Sequence, residues 1–272
     1  MPTTTESLYS ENPVNRLNAA RNISKSAALK IQKEVGAGAP YSPWPYGMPT
    51  SVNPYVLCLG ISPGARRNDD SCDPYPLPTI GSPHEGFGGE CVPDGCGAWD
   101  SPYWEKVREL CVGIVQEFSP SLNRFDCLSL AGHLNLGTGQ DGVGREGLIE
   151  PKVAKWIPRV ITERLKPRIL ICFGLWKLYS SETLRKAWAQ TSLEKLIKEE
   201  PVIQDEFAFS SRTYRFRLSQ IQYGEEMQPI TVLLWPNHPS RHPFAGGAES
   251  DAWKASITQG KRLLKKWPLL RR

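Results

Sequence analysis

Two short loops carry the residue types best suited to chemistry: Gly60-Ile61-Ser62-Pro63-Gly64 and, far downstream, Asn237-His238-Pro239-Ser240. An imidazole donates or accepts a proton near neutral pH. A serine hydroxyl hydrogen-bonds a water but cannot remove its proton at that pH. Each loop follows an uncharged apolar run, Val56-Leu57-Cys58-Leu59 in one case and Ile230 to Trp235 in the other, and Gly or Pro cuts each run off. Runs of this kind read as central strands of a sheet covered on both faces. Open α/β sheets bind ligands outside the carboxyl ends of their strands, so the two loops together outline one site.

A second constellation lies between them. Cys72, His84, Cys91 and Cys96 fall in one long Gly/Pro-rich stretch. Three thiolates and an imidazole can clamp a zinc, but this spacing is irregular and matches no common zinc motif, so no metal or other cofactor is expected. The chain has seven cysteines, an odd number with no CxxC pair, and reduced thiols are the expectation for such a chain inside the cell. Its net charge of +5 suits a polyanionic partner without demanding one. Lys254, Lys261, Arg262, Lys265, Lys266, Arg271 and Arg272 follow Asp251 with no acid among them. That run is either a solvated helix face or a phosphate-contacting surface.

The elements that must position these residues alternate between strand and helix. With 272 residues and 40% hydrophobic content the chain can bury a real core. Residues 1–50 read as an accessory helix followed by a Pro/Gly-rich lead, and residues 51–272 as the main domain with a long inserted loop at 65–100. Within that domain VLCLG reads as a strand and SPYWEKVRELCVGIVQEF as a helix opened by Ser101 and Pro102. FDCLSLAGH reads as a second strand, EPKVAKWIPRVITERLK as a helix, RILICFG as a strand and WKLYSSETLRKAWAQ as a helix. The stretch from Phe207 to Pro236 alternates like a hairpin feeding one last strand. This order predicts an α/β fold in three α/β/α layers around a central, mostly parallel sheet. No run reaches the roughly 20 apolar residues of a membrane helix and no secretory signal opens the chain, so a cytoplasmic protein with no membrane partner is expected.

The order of motifs resembles the uracil-DNA glycosylase superfamily, over roughly residues 54 to 260. GISPG after the first strand stands where that superfamily has its Gly-x-x-Pro motif, and NHPS after the last strand stands where it has a His-Pro-Ser type motif. IEPKVAKWIPRVITERLKPRILICFGLWKLY looks like its helix-strand-helix centre. The resemblance implies that Gly60, Ile61, Pro63 and Gly64 line a base pocket with Asn237 and Ser240, and that His238 donates toward the base as negative charge develops on it. Members of the family place an acid or amide at the position of Ser62, or a Glu at that of Ile61; this chain has neither. Ser62 is then a water positioner, and the acid is sought in the loop beyond it, at Asp69 or Asp70. The resemblance also implies an Asn for base recognition, at Asn135 or else Ser129 in its place, and a stacking ring, at Phe87 or Tyr75. Arg241 to Phe244 stand where the family has its wedge, so Arg241, His242 and Phe244 are expected at DNA, with Phe244 or Arg241 inserted into the duplex. The family's iron-sulphur cluster is not expected, because no cysteine precedes Cys58.

The resemblance thus implies a monomeric, monofunctional DNA glycosylase of base excision, in DNA repair or antiviral defence. It would flip out uracil or a bulky modified pyrimidine, such as hypermodified phage cytosine, and hydrolyse its N-glycosidic bond. The alternative is a catalytically inactive nucleic-acid or nucleotide-binding module with the same fold, which the missing motif acid favours. The sequence contains no phosphate loop and no His-Glu-x-x-His, marks of other hydrolytic enzymes.

Overall fold

Val56–Gly60, Ile169–Phe173 and Ile230–Trp235 contain no charged residue, and all are buried along their whole length. Only interior strands of a sheet covered on both faces can bury every residue in this way. The computed structural model describes residues 54–60, 102–135, 155, 158, 161, 165–174, 182–191, 193–194, 203–209, 212–222, 229–239, 243–244 and 250–266. Among them are strands β1 (Val56–Gly60), β2 (Ala131–Asn135), β3 (Ile169–Phe173), β4 (Ile203–Phe209), β5 (Arg212–Ile221) and β6 (Ile230–Trp235). The helices are α1 (Pro102–Phe118), α2 (Arg124–Ser129), α3 (Glu182–Trp188) and α4 (Asp251–Lys265).

The strands form one sheet in the order β2-β1-β3-β6-β5-β4. The first four run parallel, while β5 is antiparallel to β6 and β4 antiparallel to β5. The fold is therefore α/β, and the expectation of a mostly parallel sheet is corrected to a mixed one. The antiparallel part is the hairpin read from the alternation after Phe207, here added to the edge of the parallel strands. Its alternation holds in detail: on β4, Gln204, Glu206 and Ala208 are exposed while Phe207 is buried.

One face of the sheet carries Cys58, Ile171, Phe173, Leu233 and Trp235, which join a single apolar core with α1 and α4. On α1, Val107, Leu110, Cys111, Ile114 and Val115 recur at helical spacing and are buried. On α4 the corresponding stripe is Ala252, Trp253, Ser256, Gly260, Leu263 and Leu264. The alternate residues Leu57, Leu59, Leu170, Cys172, Val232 and Leu234 point to the opposite face and are equally buried, as are Ile161, Leu165, Trp188 and Leu193. Of the helix expected over 150–166 the described residues 155, 158, 161 and 165 are helical, and Pro158, Ile161 and Leu165 are buried. It stops at Lys166, whose φ of 46° breaks the helical path just before Pro167.

FDCLSLAGH is not one strand. Residues 124–129 are helix α2, and the strand begins only at Ala131. Asn123 decides this locally, because its side-chain oxygen accepts from the Asp126 N–H at 3.0 Å and caps the helix. The expected accessory helix, the Pro/Gly-rich lead and the loop at 65–100 lie outside the described residues.

The basic run after Asp251 is resolved in part. Lys261 and Lys265 of α4 pair with Glu117 of α1, while Arg262 and Lys266 pair with Asp205 of β4. These four cations are engaged within the protein, which favours the structural reading of that face over the phosphate surface.

Candidate functional site

The strand order reverses direction after β2: the chain passes from β1 outward to β2, then crosses to the other side of β1 as β3. In doubly wound sheets, the crevice outside the carboxyl ends of the strands at such a reversal is where ligands bind. Here those ends are Gly60 on β1 and Phe173-Gly174 on β3. Gly60 pairs in register with Asn135 at the end of β2, so two positions 75 residues apart in sequence stand side by side. Phe173 pairs with Trp235 at the end of β6, which sets the next four residues, Pro236 to Pro239, over the same edge. The register thus brings Gly60, Asn135, Asn237 and His238 to one end of the sheet. Asn135 is located there by its backbone.

The His238 loop is seated from three sides. Gly174 adopts φ +64° and its N–H donates to the Trp235 carbonyl at 3.1 Å. A side chain at Gly174 would put its Cβ 3.4 Å from the His238 nitrogen and 3.7 Å from the Asn237 carbonyl carbon. Glycine is favoured here by its backbone angle, and the loop packs against it at van der Waals distance. From within the loop, the Asn237 Oδ1 accepts from the His238 N–H at 3.0 Å, a local closure typical of Asn in turns. The amide expected to contact substrate therefore spends its oxygen on shaping the turn.

The third support comes from α1. Lys106, with 1% of its surface exposed, sends its ammonium to the carbonyls of Pro239, at 2.9 Å, and Phe244. Burial lowers the pKa of this lysine. Sequence reasoning missed it, although the signal was present: Lys106 occupies the apolar stripe of α1, immediately before Val107 and four residues before Leu110. A cation on a buried stripe must be held by polar partners, and here these are loop carbonyls.

His133 is the second residue not anticipated. It lies two positions before Asn135, in register with Cys58, wholly buried and stacked near Phe173 with ring centroids 6.4 Å apart. Burial first, and the neighbouring His238 second, push its pKa down to about 3, so the imidazole is neutral throughout the physiological range. His238 itself is half-buried. Beneath the site the thiols of Cys58 and Cys111 touch at 3.7 Å, and burial raises the Cys58 pKa well above the ordinary value. Such thiols are inert packing groups.

Phe244 corrects one expectation. It is 0% exposed and packs with ring centroids 5.4 Å from Trp253, 6.2 Å from Tyr214 and 6.4 Å from Phe207. A side chain committed to the aromatic core cannot insert into DNA, so its role is to anchor the far end of the loop. Ile61, Ser62, Pro63, Gly64, Asp69, Asp70, Tyr75, Phe87, Ser240, Arg241 and His242 lie outside the described residues, as do the cysteines and histidine of the zinc set. Among the described residues no group of three or more His, Cys, Asp and Glu side chains is placed to hold a metal ion. No described helix is long and apolar enough to cross a membrane. No family model matches this chain, and neither a curated protein nor a solved structure matches it.

Proposed function

We propose that this protein is a monofunctional DNA glycosylase of the uracil-DNA glycosylase type, acting as a monomer in the cytoplasm on a flipped-out modified or damaged base. The observation that carries the reading is the seating of His238 against Gly174, beside the register pair Gly60 and Asn135, at the reversal of the strand order. Gly60, from which the first motif loop departs, and the described part of the His238 loop thus stand at the same end of one sheet, the end at which this class of fold binds ligands. The three-layer arrangement of that superfamily belongs to the same proposal.

The chemistry follows from the residue types. Breaking the N-glycosidic bond leaves the electron pair on the base, and a water oxygen bonds to the sugar carbon in its place. An imidazole N–H of His238 directed at the departing base stabilises that charge in a site already organised for it. Ser62 orients the water, and Asp69 or Asp70 takes its proton. Without an acid in the Gly60 to Gly64 turn, efficient and strictly uracil-specific action is not expected, so a bulky modified pyrimidine is the favoured substrate.

The test is incubation with uracil-containing DNA and with phage DNA bearing hypermodified cytosine, followed by alkaline cleavage at abasic sites. Abasic sites in at least one DNA are expected, and His238→Ala should lower the rate on the order of 100-fold with little change in DNA affinity. Abasic sites in neither DNA would sink the reading. Binding without cleavage, with affinity lost in His238→Ala, would establish the non-catalytic binding module in its place.

A further inference from the structure

The buried ammonium of Lys106 has a geometry that ordinary core packing does not call for. Its stem lies among apolar neighbours on α1, and no carboxylate among the described residues forms an ion pair with it. Instead it reaches the carbonyls of Pro239 and Phe244, five positions apart. Between those residues in sequence lie Ser240, Arg241, His242 and Pro243, and immediately before Pro239 is His238. Desolvating a cation is costly, and replacing it with an apolar residue of similar volume is often neutral or stabilising. Two carbonyls that converge on one point, however, need a donor at that point, or they repel one another and lose their partners.

We infer that Lys106 is the positioning residue of the His238 loop, a buried cation that ties the Pro239 carbonyl to the Phe244 carbonyl and so fixes His238 at the carboxyl end of the sheet. Phe244 is the other half of the device. Its ring is anchored in the aromatic core, so its carbonyl is a fixed point, and Lys106 ties Pro239 to that fixed point. The approach of the loop to Gly174 then sets the height of His238. Lys106 touches no reacting group and acts only through the loop. That the loop serves base excision rests on the glycosylase reading, whereas the closure itself does not.

The experiment is hydrogen exchange followed by mass spectrometry on the whole protein, comparing Lys106→Met and Lys106→Arg with the wild type. Methionine keeps the stem's packing and removes the ammonium that makes both hydrogen bonds, whereas arginine keeps a cationic donor. Expected is exchange at least about tenfold faster in peptides spanning 236–244 of the Met variant, with β1 and β3 within about threefold of wild type. The Arg variant should recover most of that protection. Unchanged exchange at 236–244 in the Met variant would overturn the inference, as would loosening spread evenly through the sheet. Should the Met variant fail to fold, an Arg variant with a loop at least about tenfold faster in exchange than wild type would overturn it equally. None of these readings requires catalysis, so failure of the glycosylase assay and failure of the closure are separate results.

Discussion

His133 shows how burial, reinforced by a neighbouring imidazole, can set the chemistry of a residue. Its ordinary pKa is 6.5, and in the folded protein it is about 3, with desolvation the largest cause and the neighbouring His238 the next. Above pH 6.5 the imidazole is neutral in both folded and unfolded chains, and the shift leaves stability unaffected. As pH falls below 6.5 the unfolded chain takes up a proton that the folded protein refuses, and stability drops by about 1.4 kcal/mol per pH unit down to about pH 3. Urea unfolding at pH 7 and pH 5 should therefore show a loss of about 2 kcal/mol in the wild type that His133→Phe largely removes. Equal losses in both proteins would show that His133 is not buried as a neutral group. The window matters, because Glu117 and Asp205 are held below their ordinary pKa values by basic partners and add their own losses only at lower pH.

At the scale of elements, α4 is the member whose seat is most constrained. Gly260 faces the sheet, and a Cβ there would lie 2.7 Å from the Trp235 ring, closer than any packed contact allows. That ring is packed edge-to-face with Phe216 at 4.7 Å and at a tilt against Trp253 at 5.6 Å, which leaves it little room to retreat. Gly260→Ala gains about 1 kcal/mol of helix propensity, but overpacking a filled core costs about 1 to 3 kcal/mol, so the variant should be less stable. A thermal unfolding midpoint above that of the wild type would contradict this account. The outer side of α4 is tied in a different way, by Glu117 to Lys261 and Lys265 and by Asp205 to Arg262 and Lys266. Such half-exposed pairs each contribute little, yet they orient the helix across α1 and β4 together.

For the molecule as a whole, the proposed function gives the two ends of the sheet different duties. The carboxyl ends carry Gly60, Asn135, Gly174 and the His238 loop. The amino ends carry Tyr55, which packs 5.9 Å from Phe118 while the Arg168 guanidinium lies 5.8 Å from its ring. Substitution at the amino end should therefore cost stability alone. Arg168→Ala is expected to lower stability by about 0.5 to 1 kcal/mol through the lost cation–π contact and to leave abasic-site formation unchanged. His238→Ala should do the reverse. A parallel loss of activity in both variants, measured at a temperature where both are folded, would argue that the site is not confined to the carboxyl end.

By itself the sequence determined the apolar runs of β1, β3 and β6, the helix Pro102–Phe118, the hairpin after Phe207 and the two loops that could meet. Each is a local pattern of hydrophobicity or turn chemistry, which sequence expresses directly. Only the tertiary structure decided that the hairpin joins the parallel strands and makes the sheet mixed, and that Asn135 stands opposite Gly60. Only there does Phe244 become core and not wedge, and Lys106 a loop anchor and not a surface charge. An aromatic residue in a Pro-rich loop, or a lysine in a helix, has the same local signature whether buried or exposed. Its role is set by what distant segments bring against it, and by the cost of leaving a buried polar group without a partner.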